Sequence, residues 1–129
     1  MRDVLFRGKR TDNGEWIYGD LVHANHRLTG ARFFEIWTPM PDGETDPNEL
    51  EYAKVDPATI GQYTGLTDKN GKMIFEGDVV ATATGKPHEV MFADGQFFMD
   101  GTAIPFKWAV KFTVIGNIYD NPELREGET

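Results

Sequence analysis

KNGKMIFEGDVV at residues 69–80 restates DNGEWIYGDLV at residues 12–22, with Glu76 as a single extra residue in the second copy. Each copy begins with Asn-Gly, the dipeptide that best supplies the two positive-φ residues of a type I′ turn. An apolar run follows, then Gly-Asp, then a second apolar run. Such a string predicts a tight turn, a return strand, a glycine bend and more strand. Glycine at the break lets a strand bulge or curl. The extra Glu76 places a bulge in the second copy or shifts its facing by one residue. Two such phrases predict two small curled β units whose hairpins superpose.

Working outward, Val4–Lys9 is a short strand leading into the Asp12–Gly14 turn. Glu15–Tyr18 is the return, and Leu21–His23 continues it. Ala31–Trp37 (ARFFEIW) alternates as a third strand, with Phe34 and Ile36 on one face. From Pro39 to Tyr52 the pattern gives way to PMPDGETDPNELEY, a solvated acidic loop with one helical turn near Asn48–Tyr52, expected to be the most mobile internal segment. Asp56-Pro57 opens a turn before a strand at Ile60–Thr64. Asp68–Gly71 turns into Met73–Phe75, and Gly77–Ala81 carries on. His88–Phe92 and Gln96–Met99 flank a further hairpin turn at Asp94-Gly95. Phe112–Gly116 is the last strand. Asn121-Pro122-Glu123 has the N-cap, proline and acidic first turn of a short helical stub. The expected fold is mainly β with minimal helix, divided into an N-terminal unit over residues 1–53 and a C-terminal unit over residues 54–129 that can form one compact domain.

The chain has 129 residues, 40% of them hydrophobic, with nine Phe, four Tyr and three Trp. That is a globular composition, and its 14 Gly and seven Pro leave little room for long helices. Thirteen basic against 21 acidic residues give a net charge of −8. Arg7, Lys9 and Arg10 are the one basic cluster, so a phosphate backbone finds little to hold and nucleic acid is disfavoured as a partner. The chain contains neither cysteine nor serine, which removes disulfides, thiolate chemistry and two common nucleophiles. MRDVLFRGKR has no apolar core of a secretory signal, and no run approaches a membrane span. These features predict a soluble cytoplasmic protein without a membrane partner.

Motifs that carry chemistry fail on spacing. Between Gly65 and Gly71-Lys72 lie five residues where a phosphate loop needs four, and Met73 stands where Ser or Thr would meet magnesium. His23 and His26, with His88 far along the chain, sit in turn-rich sequence unsuited to a metal. Asp42, Glu44, Asp46, Glu49 and Glu51 resemble a calcium loop, but Pro47 replaces its glycine and Ala53 its bidentate glutamate. Asp20 and Asp78 hold matched positions in the two phrases. As a catalytic pair they need to converge with perturbed acidity; local bonds to backbone explain them more simply. No catalytic residue, metal or cofactor is assigned. Adjacent aromatics at Phe33-Phe34 and Phe97-Phe98 point rings to both faces of a thin β layer, which predicts a homo-oligomer.

VDPATIGQYTGLTDKNGKMIFEGDVV and VIGNIYDNPEL closely resemble the signature blocks of the YopX family, and FRGKRTDNGEWIYGDL resembles its N-terminal block. Residues 24–52 match least. The matching positions are Gln62, Tyr63, Gly65, Asp68, Asn70, Gly71, Gly77, Asp78, Gly116, Asn117 and Tyr119, with structural or binding roles. The resemblance implies a small protein encoded by bacteriophages or prophages, with a C-terminal SH3-type barrel roll and no established reaction. On this reading the protein is a non-enzymatic accessory module that binds an unidentified phage or host protein. The rivals are a nucleic-acid-linked regulatory module using Arg7, Lys9 and Arg10, and a metal-assisted hydrolase using Asp20 and Asp78.

Overall fold

The computed structural model describes residues 4–38 and 51–126. These residues are mainly β. In chain order the strands are β1 (Phe6–Lys9), β2 (Trp16–Asn25), β3 (Arg32–Trp37), β4 (Tyr52–Lys54), β5 (Gly61–Thr67), β6 (Met73–Phe75), β7 (Asp78–Ala81), β8 (Pro87–Ala93), β9 (Gln96–Met99) and β10 (Thr113–Asn117). A four-residue helix, α1 (Glu123–Glu126), follows. The 39–50 segment, where the sequence predicts an acidic mobile loop, lies outside the described residues.

The chain divides into two compact units, one ending at Gln62 and the other starting at Tyr63. The stretch just before that division belongs with the first unit because Ala53 and Val55 are core residues there, with Ile60 packed against them. In this unit the antiparallel order is β4-β3-β2-β1, with the start of β5 added beside β1. Ile17, Ile36, Ala53 and Val55 form the buried centre, and Phe6, Leu21 and Phe34 pack around it. Phe34 and Ile36 do share the inner face, as alternation requires. Each fully enclosed aliphatic side chain contributes about 1.5–3 kcal/mol relative to exposure. Asp56 caps a 3-10 turn at Pro57–Thr59 by accepting the Ala58 N–H (3.0 Å). Thr59 Oγ1 then accepts the Lys9 N–H at 2.9 Å, tying that turn to β1.

In the second unit the remainder of β5 pairs with β6, and a separate four-stranded antiparallel sheet runs β10-β7-β8-β9. The sheets are not closed into a single barrel; at Glu76-Gly77 the chain leaves β6 and enters β7 in the other sheet. Ile74, Val80, Val90, Met99, Ala109 and Phe112 fill the core, with Leu66, Phe106 and Val114 packed on it.

The repeated phrase therefore makes two different objects. Both copies follow an antiparallel turn, but β2 runs unbroken through Gly19-Asp20, whereas Glu76-Gly77 ends one strand and starts another in a second sheet. The turns differ as well. Thr11–Gly14 is a four-residue loop closed by Arg10 N–H to Glu15 O (2.9 Å), while Lys69–Gly71 is a three-residue loop closed by Asp68 N–H to Lys72 O (2.7 Å). Neither Asn13 nor Asn70 has positive φ, so neither turn is type I′; only Gly14 (φ 75°) and Gly71 (φ 85°) cross into that region. One left-handed glycine suffices to close each loop.

The type I′ geometry appears instead at Asp94-Gly95, with φ of 54° and 80°, joining Ala93 and Gln96 as a directly opposed pair. Among the described residues Asp94 is the one non-glycine with positive φ. A β-branched residue there meets the left-handed penalty in full, so Asp94→Val is expected to lower stability by about 1–2 kcal/mol and Asp94→Asn to leave it nearly unchanged. Urea unfolding of the two variants checks this; equal midpoints would show the turn is not under this constraint.

Candidate functional site

Gln62 aside, the positions that match the family blocks gather in the second unit around two buried aspartates. Tyr63 in β5 packs its ring against Phe75 (5.6 Å between centroids). Gly65 (φ 90°) lies where the β5–β6 register slips between Tyr63 and Thr67, and Thr64 Oγ1 donates to Ile74 O at 2.8 Å across that irregularity. The bulge lets β5 bend before the turn. Asp68 follows, buried, with both carboxylate oxygens engaged. Oδ1 accepts from the N–H groups of Asn70 (2.8 Å) and Lys72 (2.9 Å); Oδ2 accepts from Val114 N–H in β10 at 2.9 Å. Burial pushes this carboxyl up, but the bonds from Val114, Lys72 and Asn70 and the Lys72 charge outweigh it and hold the group below the ordinary aspartate value. The Lys69 N–H adds a bond to Phe112 O (3.0 Å), so the turn is fastened to the start of β10 from two sides.

Asp78 is 1% exposed and closes the corner by accepting the Phe75 N–H at 2.8 Å. Gly77 has φ of 93°, donates to Val90 O (2.9 Å) and accepts from Ile118 N–H (3.0 Å). The Tyr119 ring lies against its α-carbon, in the space a side chain would need. Asn117 pairs with Asp78 across β10–β7, and its Oδ1 accepts from Tyr119 N–H (3.0 Å) and Asp120 N–H (2.9 Å). Asn121 does not cap α1 with its side chain. Its Oδ1 reaches back to Asn117 N–H at 3.3 Å, next to Gly116, where any Cβ would collide with it. Gln62, half-buried, pairs with Phe6 in the first unit. The other positions thus form two carboxylate-fastened turns in the second unit. Asp68, with both oxygens spent on backbone N–H groups, holds the chain in place and is not poised for proton transfer.

The other candidates occupy dissimilar surroundings. Asp20 is exposed on β2 opposite Trp37, whereas Asp78 is buried in its corner. His23 and His26 are exposed; His23 lies 2.9 Å from an Arg32 nitrogen, and His26 Nδ1 accepts from Leu28 N–H (3.2 Å). His88 is buried and bonds Asp100 O through Nδ1 at 2.8 Å. Among the described residues no three His, Asp or Glu side chains are grouped to hold a metal ion. The basic N-terminal cluster is not an open edge. Arg7 is 4% exposed with its guanidinium 4.6 Å over the Trp16 ring, Lys9 lies 5.6 Å over the same ring, and Arg10 pairs with Asp12 (2.9 Å) and Glu51 (3.0 Å).

The sequence singles out Phe97 but not the surface around it on the second unit. Phe92 is 49% exposed and meets Phe97 edge-on at 5.0 Å, and Phe97 reaches Phe106 at 6.0 Å. A 3-10 segment, Phe106–Lys111, follows, with Trp108 44% exposed beneath the Lys111 ammonium (4.6 Å). FKWAVK lacks an obvious period, so its one buried residue, Ala109, hides the turn. No helix among the described residues is long and apolar enough to cross a membrane.

Comparison with known proteins agrees with the sequence blocks. No curated protein matches the chain. Among solved structures, protein EF1440 from Enterococcus faecalis is similar, with 26% sequence identity and a TM-score of 0.60 over 96% of this chain and 99% of that one. The model of the YopX protein family matches residues 5–126, nearly the whole length. The chain belongs to the YopX family.

Proposed function

We propose that this protein is a non-enzymatic binding and assembly module, encoded by a phage or prophage, that acts in the bacterial cytoplasm and associates with copies of itself. A phage or host protein is the further partner. The observation that carries this reading is the state of the aromatics: neither Phe33-Phe34 nor Phe97-Phe98 is fully enclosed within its own unit, and Phe92 and Trp108 stand in solvent. Exposed rings in contact with one another mark an association surface more often than a catalytic one. The engaged carboxylate of Asp68 supports the same choice, because it leaves the family-matching turn without an obvious general base. The hydrolase rival is weakened by the contrast between exposed Asp20 and buried Asp78. The nucleic-acid rival loses its proposed edge to Trp16, Asp12 and Glu51.

Light scattering across a concentration series is the test. The expected mass at tens of micromolar is a multiple of 14.5 kDa, falling on dilution. A single-chain mass throughout would sink the reading.

A further inference from the structure

Beyond Gly19, β2 leaves β1, and beyond Val22, whose partner Glu35 still pairs with Lys54 of β4, it runs with β3 as a two-stranded arm over residues 23–34. Among the described residues, Ala24 and Asn25 of β2 and Phe33 and Arg32 of β3 have ladder partners only in each other, and His23 pairs with Phe34, whose carbonyl accepts the Val55 N–H. Such a ribbon exposes both edges and is weakly stable alone. The tip is nonetheless built. His26 N–H bonds Ala31 O (2.8 Å), Gly30 N–H bonds His26 O (2.9 Å), and Gly30 has φ of 72°. This is the pattern of the loop at Arg10–Glu15, where Gly14 N–H bonds Arg10 O (3.0 Å) and φ is 75°. The hidden repeat of the N-terminal turn is thus HRLTGA at residues 26–31, against RTDNGE at residues 10–15. Where the first loop places Asp12, the second places Leu28, 91% exposed. A firm loop that holds a leucine in water, at a position suited to aspartate, is preorganised for a partner.

Charge names the partner. The arm, residues 23–34, contains Arg27 and Arg32 and no Asp or Glu, so it is +2; removing +2 from the chain's −8 leaves −10 on the rest. We infer that the β2–β3 arm grips a second copy of this chain, with Leu28 as its apolar anchor and Arg27 and Arg32 directed to that copy's acidic surface. Arm and body are complementary in sign, which orients one copy on another. A polyanion satisfies the arginines but gives Leu28 nothing, whereas a protein surface satisfies both. The inference rests on the self-association proposed above and names the element responsible.

Sedimentation velocity of the full chain and of Leu28→Asp, over the same concentrations, tests it. Leu28 is bare of its own chain, so the variant is expected to keep the wild-type circular dichroism spectrum while its self-dissociation constant rises at least about tenfold. Arg27→Glu, also at the exposed tip, is expected to weaken association in the same direction. A wild-type chain that stays monomeric overturns both readings. A self-associating chain indifferent to Leu28→Asp and Arg27→Glu overturns the arm alone. Retention of a short DNA duplex by a monomeric wild-type chain, lost in Arg27→Glu, reassigns the arm to a polyanion and also overturns it.

Discussion

Asp68→Ala is expected to cost the second unit about 3–5 kcal/mol, enough to unfold a domain of ordinary stability under mild denaturant. The carboxylate accepts three backbone N–H groups, from Asn70, Lys72 and Val114, and alanine leaves all three without their acceptor. Bonds to a charged acceptor contribute about 1.5–3 kcal/mol each, but the turn lies near solvent and part of the loss is recovered by water. Asp68→Asn keeps one oxygen and sets an amide N–H₂ where the other was, so about 2 kcal/mol is expected. Acid has the same target. The folded carboxyl sits below its ordinary value, so its stabilisation is complete above the unfolded value near about pH 4 and is lost as pH falls through the lower, folded value. Urea unfolding from pH 6 down to pH 2 should therefore fall more steeply for wild type than for Asp68→Asn. Parallel acid limbs would show that Asp68 is not the fastening group.

The sequence made the strands legible because alternation and turn residues act locally. Met73–Phe75 and Gln96–Met99 are observed as read, and the Asp94-Gly95 turn is where the spacing put it. Longer-range bonds decided what was missed. β4 is only three residues long and exists because Ala53 pairs with Ile36 and Tyr52 stacks on Trp37 at 4.3 Å. Nothing within EYAK announces that. Of the Gly-Asp pair explained in sequence by local backbone bonds, Asp78 makes one, whereas Asp68, expected only to open a turn, also reaches Val114, 46 residues on. The Arg7, Lys9 and Arg10 cluster looked basic in sequence and is occupied in space, because Trp16 is brought opposite Lys9 by the β1–β2 register. Leu28 was passed over because an exposed leucine is invisible to periodicity; only the matching bond pattern of the two loops makes its position stand out.

Glycine in the Gly-Asp break of each phrase should be the least replaceable residue in its copy, for two different reasons. At Gly19 the backbone is ordinary strand, without positive φ, so alanine is permitted by conformation. It is forbidden by space: a Cβ there would run into the carbonyl of Trp37, a backbone atom held in the β2–β3 ladder that cannot move aside cheaply. At Gly77 both constraints act, since φ is 93° and a Cβ would come within 2.9 Å of Tyr119 Cε2. Left-handed backbone costs alanine about 1–2 kcal/mol and overpacking about 1–3 kcal/mol, so Gly19→Ala is expected to lose about 1–3 kcal/mol and Gly77→Ala about 2–5 kcal/mol. Gly14→Ala and Gly71→Ala are the controls. Both have positive φ but open space around them, so about 1–2 kcal/mol is expected. Urea midpoints of the four variants separate the causes. A Tyr119→Ala background should return part of the Gly77→Ala loss by removing the ring and leave the φ cost behind. The same relief is not available at Gly19, whose obstacle is main chain. A Gly19→Ala protein within about 0.5 kcal/mol of wild type would mean that β2 and β3 can part at this point, and that the unbroken ten-residue strand is not what the first copy of the phrase requires.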